Sequence, residues 1–205
     1  TVVGTLRGAA QVRVVRGTGQ IGGGTVAVTG RLPLEGLGFG TATASITAKQ
    51  VRLPLADGVD VTADADLEAT YRPPALGSSQ PSLPEVRGTV SIVSFRYTRP
   101  ITMSLDLSNL TGKAKRTEVE AYDPSGDVVR FEIDVVSPRP LAFQNNLIDM
   151  RVEVVEPGIT VAGTNQRFGA RGSLRVLPES KLQLRNHQFD VREGTVRFDD
   201  LERLE

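Results

Sequence analysis

The chain has 205 residues, and its 24 basic and 24 acidic side chains leave a formal net charge of zero, which argues against nucleic-acid binding because phosphate contacts need a basic face. It contains no cysteine, so disulfides, zinc–thiolate sites and thiol nucleophiles are excluded. No run of about 18 apolar residues is present, and the sequence therefore predicts no membrane-spanning helix.

The ends of the sequence suggest a piece of a longer protein. The chain begins at Thr1 without an initiator methionine, so we expect an upstream part, and Leu204-Glu205 resembles a cloning remnant. No shift in composition divides the chain. We therefore expect residues 1–205 to form one domain.

The first motif along the chain is Gly17-Thr18-Gly19-Gln20-Ile21-Gly22, which matches G-x-G-x-x-G. A dinucleotide site needs a helix directly after this turn, with its N-terminus on the pyrophosphate. Residues 25–29 read Thr-Val-Ala-Val-Thr and predict a strand instead. The motif is therefore interpreted as a glycine-rich connection between strands.

The clearest strand signal runs from Val59 to Arg72, where apolar and polar residues alternate strictly. At about 3.3 Å per residue such a strand would reach roughly 45 Å, whereas an ordinary strand has about 5–6 residues. Seven apolar side chains share one face: Val59, Val61, Ala63, Ala65, Leu67, Ala69 and Tyr71.

Four carboxylates share the opposite face of this strand: Asp60, Asp64, Asp66 and Glu68. Grouped carboxylates can bind calcium or hydrolyse a glycosidic bond. Side chains two residues apart on a strand lie about 6.6–7 Å apart, so they do not converge unaided. Simple alternation already explains these four residues as a solvated face, which is the interpretation we favour.

The remaining chain repeats the period of two. Pro73-Pro74 to Pro84 predicts a loop, and we expect residues 72–85 to be mobile. Weaker strand signals are Val12-Val14, Val26-Val28, Val90-Ile92 and Val196-Phe198, which bring the predicted total to ten or more strands without a helix. Further apolar rows are Ile101, Met103, Leu105, Leu107; Val129, Phe131, Ile133, Val135; Ile148, Met150, Val152, Val154; Leu174, Val176; and Leu182, Leu184.

His187 is the only histidine. A metal site or a Ser-His-Asp triad needs further residues beside it, and Leu184 to Gln188 has the composition of a polar bend. The sequence therefore predicts a protein that is not an enzyme, with no catalytic residue, no metal and no cofactor.

The apolar rows cannot stay bare in water. Burying Val59, Val61, Leu67 and Tyr71 contributes on the order of 6–12 kcal/mol at about 1.5–3 kcal/mol each. The face must meet a second sheet, curl on itself or hold an apolar ligand. Periodicity leaves these three arrangements open.

The final third carries a recurrent strand plan. Residues 146–154 read N-L-I-D-M-R-V-E-V, residues 172–176 read G-S-L-R-V, and residues 182–198 read L-Q-L-R-N-H-Q-F-D-V-R-E-G-T-V-R-F. This plan resembles the C-terminal domain of the TamB family, the translocation and assembly module proteins of diderm bacteria, which are related to AsmA-like bridge proteins. The resemblance covers residues 45–200. Leu177 before Pro178 and Asn186-His187-Gln188 depart from the family pattern.

The resemblance implies both a fold and a role. The fold is an elongated, curled antiparallel or mixed sheet that forms a half-pipe, the β-taco, with an apolar concave groove. Full-length members are anchored in the inner membrane, cross the periplasm, and are implicated in phospholipid transport and in assembling outer-membrane proteins with a barrel partner of the TamA/BamA type. The family's contact with that partner lies near the C-terminus, so we expect it to fall outside this chain.

Two functional hypotheses follow. In the first, all the apolar rows given above line a groove that shields phospholipid acyl chains. In the second, the sheet is a chaperone-like scaffold that pairs its edges with client strands. A plain structural sandwich remains a third reading, and exposed edges would also allow edge-to-edge self-association.

Overall fold

The computed structural model describes residues 2–5, 10–35, 38–74, 82–100, 122–184 and 187–201. These residues form one sheet of 15 strands. The strands are β1 Val2–Thr5, β2 Ala10–Ile21, β3 Gly24–Glu35, β4 Gly38–Phe39, β5 Ala42–Ala56, β6 Val59–Tyr71, β7 Glu85–Tyr97, β8 Arg130–Val136, β9 Leu141–Gln144, β10 Ile148–Val154, β11 Ile159–Thr164, β12 Phe168–Val176, β13 Ser180–Leu184, β14 His187–Val191 and β15 Gly194–Asp200.

The first half of the sheet is an antiparallel ladder of long strands. β2, β3, β5, β6 and β7 pair in that order, with β1 outside β2. Their connections are tight turns, Gly22-Gly23 between β2 and β3 and Asp57-Gly58 between β5 and β6. The glycine-rich motif therefore lies in a strand and a hairpin turn. β6 covers the predicted long strand and ends one residue earlier, at Tyr71.

The second half makes the sheet mixed, because β7 pairs parallel with both β8 and β9. Parallel neighbours need a crossover, which runs here through residues 98–129. The predicted strand Ile101 to Leu107 falls on residues 101–121, outside the described residues. Residues 75–81, within the predicted loop 72–85, lie outside them as well. The prediction of an all-β, mixed sheet is confirmed, and the half-pipe shape stays a prediction.

The later strands occur as broken pairs. β8 and β9 lie along the same edge of β7, and β10 and β11 lie along the same edge of β12. The breaks fall at residues 137–140 and 155–158, which carry Pro138, Pro140 and Pro157. Proline lacks the N–H that a central strand needs for its ladder, so these positions interrupt the hydrogen bonding without ending the sheet.

Ser180 closes a third break, between β12 and β13. Its side chain is 2% exposed, donates a hydrogen bond to the Leu177 carbonyl oxygen (2.7 Å) and accepts one from the Arg151 N–H (3.2 Å). The Leu177 N–H in turn donates to the Arg151 carbonyl oxygen (2.8 Å). One buried hydroxyl thus satisfies two backbone groups that the interrupted ladder leaves open.

Replacing Ser180 with alanine is expected to lower the free energy of unfolding by about 1–3 kcal/mol, because two part-buried backbone groups lose their partner. Urea unfolding measures this change. Ser94→Ala is the matched control: Ser94 is exposed on β7, and its truncation should change stability by no more than about 0.5 kcal/mol. Equal effects of the two substitutions would show that the Ser180 hydroxyl does not hold the break.

The sheet has little conventional core. The chain exposes 15584 Å², whereas a compact monomer of 22.0 kDa exposes about 9,300 Å². No large described residue is less than 2% exposed. The buried apolar residues among the described ones are Val51, Val61, Ala63, Leu141, Val152, Val154 and Ala170. Most apolar side chains on the sheet are half-buried.

Helical structure in the described ranges is limited to one 3-10 turn, Pro124–Gly126. The Asp123 carboxylate caps it by accepting a hydrogen bond from the Ser125 N–H (2.9 Å). Within the same ranges, no helix has the length and apolar character needed to cross a membrane.

Candidate functional site

The candidate site is the apolar face of the sheet, which is most regular on β6. Val61 and Ala63 are each 5% exposed, whereas Asp60, Asp66 and Glu68 on the opposite face are exposed. Pleating turns alternate side chains to opposite sides of a strand. The seven apolar residues predicted on β6 therefore lie on one side of the sheet.

A row of apolar residues crosses the sheet at the level of Leu67. Residues paired in register on neighbouring strands turn their side chains to the same side, and Leu67 pairs with Ile46 on β5 and with Gly88 on β7. The row from β3 to β12 is Val28, Ile46, Leu67, Gly88, Ile133, Val161 and Ala170. It contains no charged residue until Asp200, the partner of Ala170 on β15.

Aromatic rings border this face at both ends of the strands. At one end, the ring centroids of Phe131 and Phe168 are 6.1 Å apart. At the other end, the Phe143 ring lies 5.0 Å from Phe95 and 6.1 Å from Tyr97. Tilted rings at these separations attract each other beyond their buried area, so ring–ring contacts add to the packing at both rims.

The apolar face continues into the broken strands. Met150 pairs with Phe143, Val152 pairs with Leu141 on one side and with Val176 on the other, and Ile148 pairs with Leu182. Because register partners share a face, the residues of β10, β12 and β13 extend the surface formed by β6.

The predicted lining residues fall into two groups. Those on β6, β8, β10, β12 and β13 share the apolar side, with Val129 directly before β8 and Leu184 at the end of β13. Ile101, Met103, Leu105 and Leu107 lie outside the described residues. Contact of any of these side chains with lipid stays a prediction.

The structure adds residues that sequence reasoning left out of the lining: Ile46, Val86, Phe95, Phe143 and Val161. A β-bulge explains one omission. The register of β6 with β7 shifts between Thr62 and Ala63, and Val93 is skipped, so the alternation that starts at Val86 changes phase before Phe95. The short alternating pair Val90-Ile92 was the available signal for β7.

The carboxylates of β6 are spread along the polar face, and Asp64 has backbone support. It accepts a hydrogen bond from the Gln50 N–H (2.7 Å) and forms an ion pair with Lys49 (3.2 Å). The hydrogen bond from Gln50, with a smaller contribution from Lys49, lowers the pKa of Asp64 below its usual value of 3.8. Gln50 has a φ of +52° in the bulge of β5, and Asp64 stabilises that bulge.

Asp64→Asn is expected to be less stable than the wild-type chain at neutral pH, because the amide keeps the acceptor geometry but not the charge. A lowered folded-state pKa means that this stability is present above the unfolded value of 3.8 and is lost as pH falls through the folded pKa. The urea midpoints of the two proteins should therefore converge in acid. Midpoints that stay equally separated from neutral to acidic pH would contradict this account.

His187 begins β14 and pairs with Leu184. The predicted polar bend from Leu184 to Gln188 falls where β13 turns back into β14, and His187 itself is the first strand residue after that turn; residues 185–186 lie outside the described part. Among the described residues, no three of His, Asp and Glu gather in a way that could hold a metal ion.

Comparison with known proteins gives a family. The family model described as the TamB C-terminal domain matches residues 16–202. The chain belongs to the TamB family. The match extends beyond residues 45–200, which carry the resemblance, and includes the second half of β2 and all of β3. No curated protein and no solved structure matches the chain.

Membership of the TamB family assigns this chain to the cell envelope and to the module that serves outer-membrane protein assembly, together with outer-membrane assembly partners. The apolar rows of this TamB domain, which carry no charge from β3 to β12, form the surface that a more specific function would use.

Proposed function

We propose that the apolar face of this TamB domain is an open groove that shields phospholipid acyl chains between the inner and outer membranes of the periplasm, and that the domain is not an enzyme. The observation that carries the proposal is the single sheet itself: a face with continuous apolar rows has no second described layer packed against it.

The rows favour sliding over fixed binding. Neighbouring strands are about 4.8 Å apart, so the Leu67 row offers an apolar contact at each strand step across β3 to β12. Exposing an acyl chain of about sixteen carbons to water costs roughly 12 kcal/mol at about 0.8 kcal/mol per CH₂. A surface that offsets this cost at every step needs no single tight site.

The polar face supports the same assignment. Ion pairs such as Arg87–Glu132 (3.3 Å) and Arg175–Glu153 (3.4 Å) lie on it, and the apolar rows carry no charge from β3 to β12. The sheet therefore separates a water-facing surface from a surface suited to hydrocarbon.

A second candidate is strand addition at the β14–β15 edge. In the described residues, β15 pairs only with β12 and β14 pairs only with β13. Phe189 and Val196 are about half exposed there, at 51% and 47%. An unpaired strand edge with exposed apolar side chains is a template for another strand, and the outer-membrane barrel partner of the TamA/BamA type would be the natural occupant.

Native mass spectrometry of the purified 205-residue chain tests the first candidate. We expect bound phospholipid, and exchange of that lipid for added phospholipid. A chain that is free of lipid and takes up none would overturn the groove. Cross-links from β15 to a barrel protein, with no lipid bound, would favour strand addition instead.

A further inference from the structure

The polar face of the sheet follows a charge rule. In the described strands, nine register pairs join two charged residues, and in eight of these pairs the two charges have opposite signs. These are Asp60–Arg96, Glu68–Arg87, Glu85–Arg130, Arg87–Glu132, Asp149–Lys181, Glu153–Arg175, Arg171–Asp199 and Lys181–Asp190. Opposite charges across strands stabilise a sheet, and like charges destabilise it.

One described pair breaks the rule: Arg13 on β2 lies directly opposite Arg31 on β3. Both side chains are exposed. Within the described residues, neither guanidinium forms an ion pair, whereas Arg87, Arg151 and Arg175 each do. A repulsive pair without compensation in an otherwise consistent sheet indicates a site where stability gives way to function.

A cavity of about 520 Å³ opens beside the two arginines. Its walls include the hydroxyl side chains Thr29, Thr43, Ser45 and Thr70. Arg31 donates from Nε to Thr43 Oγ1 (3.3 Å), which orients its guanidinium and leaves the two terminal nitrogens for a ligand. The cavity thus combines two cations with several neutral hydrogen-bond donors.

Glu68 also lines this cavity, so the lining side chains sum to a charge of plus one. Glu68 lies two strands from Arg31 and pairs in register with Arg87. Arg87, rather than Arg13 or Arg31, is therefore directly across from Glu68; the ion pairs that Arg87 forms are with Glu85 and Glu132, so the lining of the cavity keeps its net charge of plus one.

We propose that this cavity binds a phosphate group. A planar carboxylate is satisfied by one guanidinium fork, whereas a tetrahedral phosphate has enough oxygens to use both arginines and the hydroxyls. The bound anion also removes the repulsion between Arg13 and Arg31. The site lies on the face opposite the apolar rows, so it is independent of the acyl-chain groove and survives if that proposal fails.

The test is phosphate-dependent thermal unfolding of the 205-residue chain at low ionic strength. Inorganic phosphate should raise the unfolding midpoint of the wild type and of the control Arg175→Gln, which removes a paired arginine of the same face. Arg13→Gln and Arg31→Gln should each weaken phosphate binding about tenfold. Without phosphate, Arg13→Gln should be at least as stable as the wild type, because a like-charge contact is removed.

Two binding experiments distinguish a phosphate group on a lipid from a free phosphate ester. Sedimentation with phosphatidylglycerol vesicles that depends on Arg13 and Arg31 and is competed by inorganic phosphate identifies a lipid headgroup. Binding of inorganic phosphate without vesicle binding identifies a free phosphate ester. An equal phosphate response in Arg13→Gln and Arg175→Gln, or no response in the wild type, would overturn the proposal.

Discussion

Gly88→Ala is expected to lower the stability of the chain by about 3–5 kcal/mol, from backbone strain plus overpacking. Gly88 lies in the Leu67 row with a φ of +141°, a region that only glycine adopts readily. A Cβ at this position would lie 2.1 Å from the Asp66 carbonyl oxygen on β6. The clash involves backbone on both sides, so a side-chain rotation cannot relieve it.

Gly19→Ala is the matched control for that experiment. Gly19 lies in β2, where an added Cβ meets nothing within 4 Å. Its replacement should leave stability unchanged or raise it by up to about 1 kcal/mol, because alanine restricts the unfolded chain. Urea unfolding compares the two variants. If Gly88→Ala were as stable as Gly19→Ala, the close approach of β6 and β7 would not exist in solution.

Leu67→Asp is expected to reduce the phospholipid bound by the folded chain roughly tenfold or more, since a carboxylate at this position forfeits apolar contact and requires hydration next to hydrocarbon. Leu67 is half-buried at the centre of a row that is charge-free across neighbouring strands. Ile133→Asp, in the same row on β8, should have a similar effect. The measurement is the lipid content of the purified variant by native mass spectrometry.

Ser94→Asp controls for the added charge. Ser94 is an exposed residue on the polar face of β7, so this substitution should leave bound lipid unchanged. Circular dichroism establishes that each variant keeps its strand content. If the Leu67→Asp and Ile133→Asp proteins are folded and bind as much phospholipid as the wild type, the groove is excluded as the binding surface.

Local patterns predicted the strands more successfully than their pairing. The alternation from Val59 placed β6 to within one residue of its end, and Ile148 to Val154 is β10 as predicted. In both cases the side-chain period alone defines a strand with one apolar face. The resemblance of the final third to the TamB family was confirmed by a match over most of the chain.

The pairing of strands that are distant along the chain could not be predicted from the sequence. The parallel pairing of β7 with β8, the bulges near Gln50 and Val93, and the alignment of broken strands all depend on contacts between distant residues. Each bulge changes the phase of the alternation, which is why Phe95 was not predicted to share a face with Val86. The predicted bend from Leu184 to Gln188 falls at the reversal between β13 and β14, but only the register shows that His187 already belongs to the strand.

The repulsive arginine pair likewise depends on long-range pairing and not on a local pattern. Arg13 and Arg31 are 18 positions apart and carry no motif. Their juxtaposition follows only from the register of β2 with β3. A site of this kind becomes visible when cross-strand pairs are compared across one sheet.

Site-specific photo-crosslinking in cells tests the groove most directly. A benzophenone side chain is placed at Leu67 or Ile133 on the apolar face, and at Asp66 or Ser94 on the polar face, in the full-length protein. The account predicts phospholipid adducts from the two apolar positions and none from the two polar positions. Equal adducts from both faces, or none from Leu67 and Ile133, would contradict it.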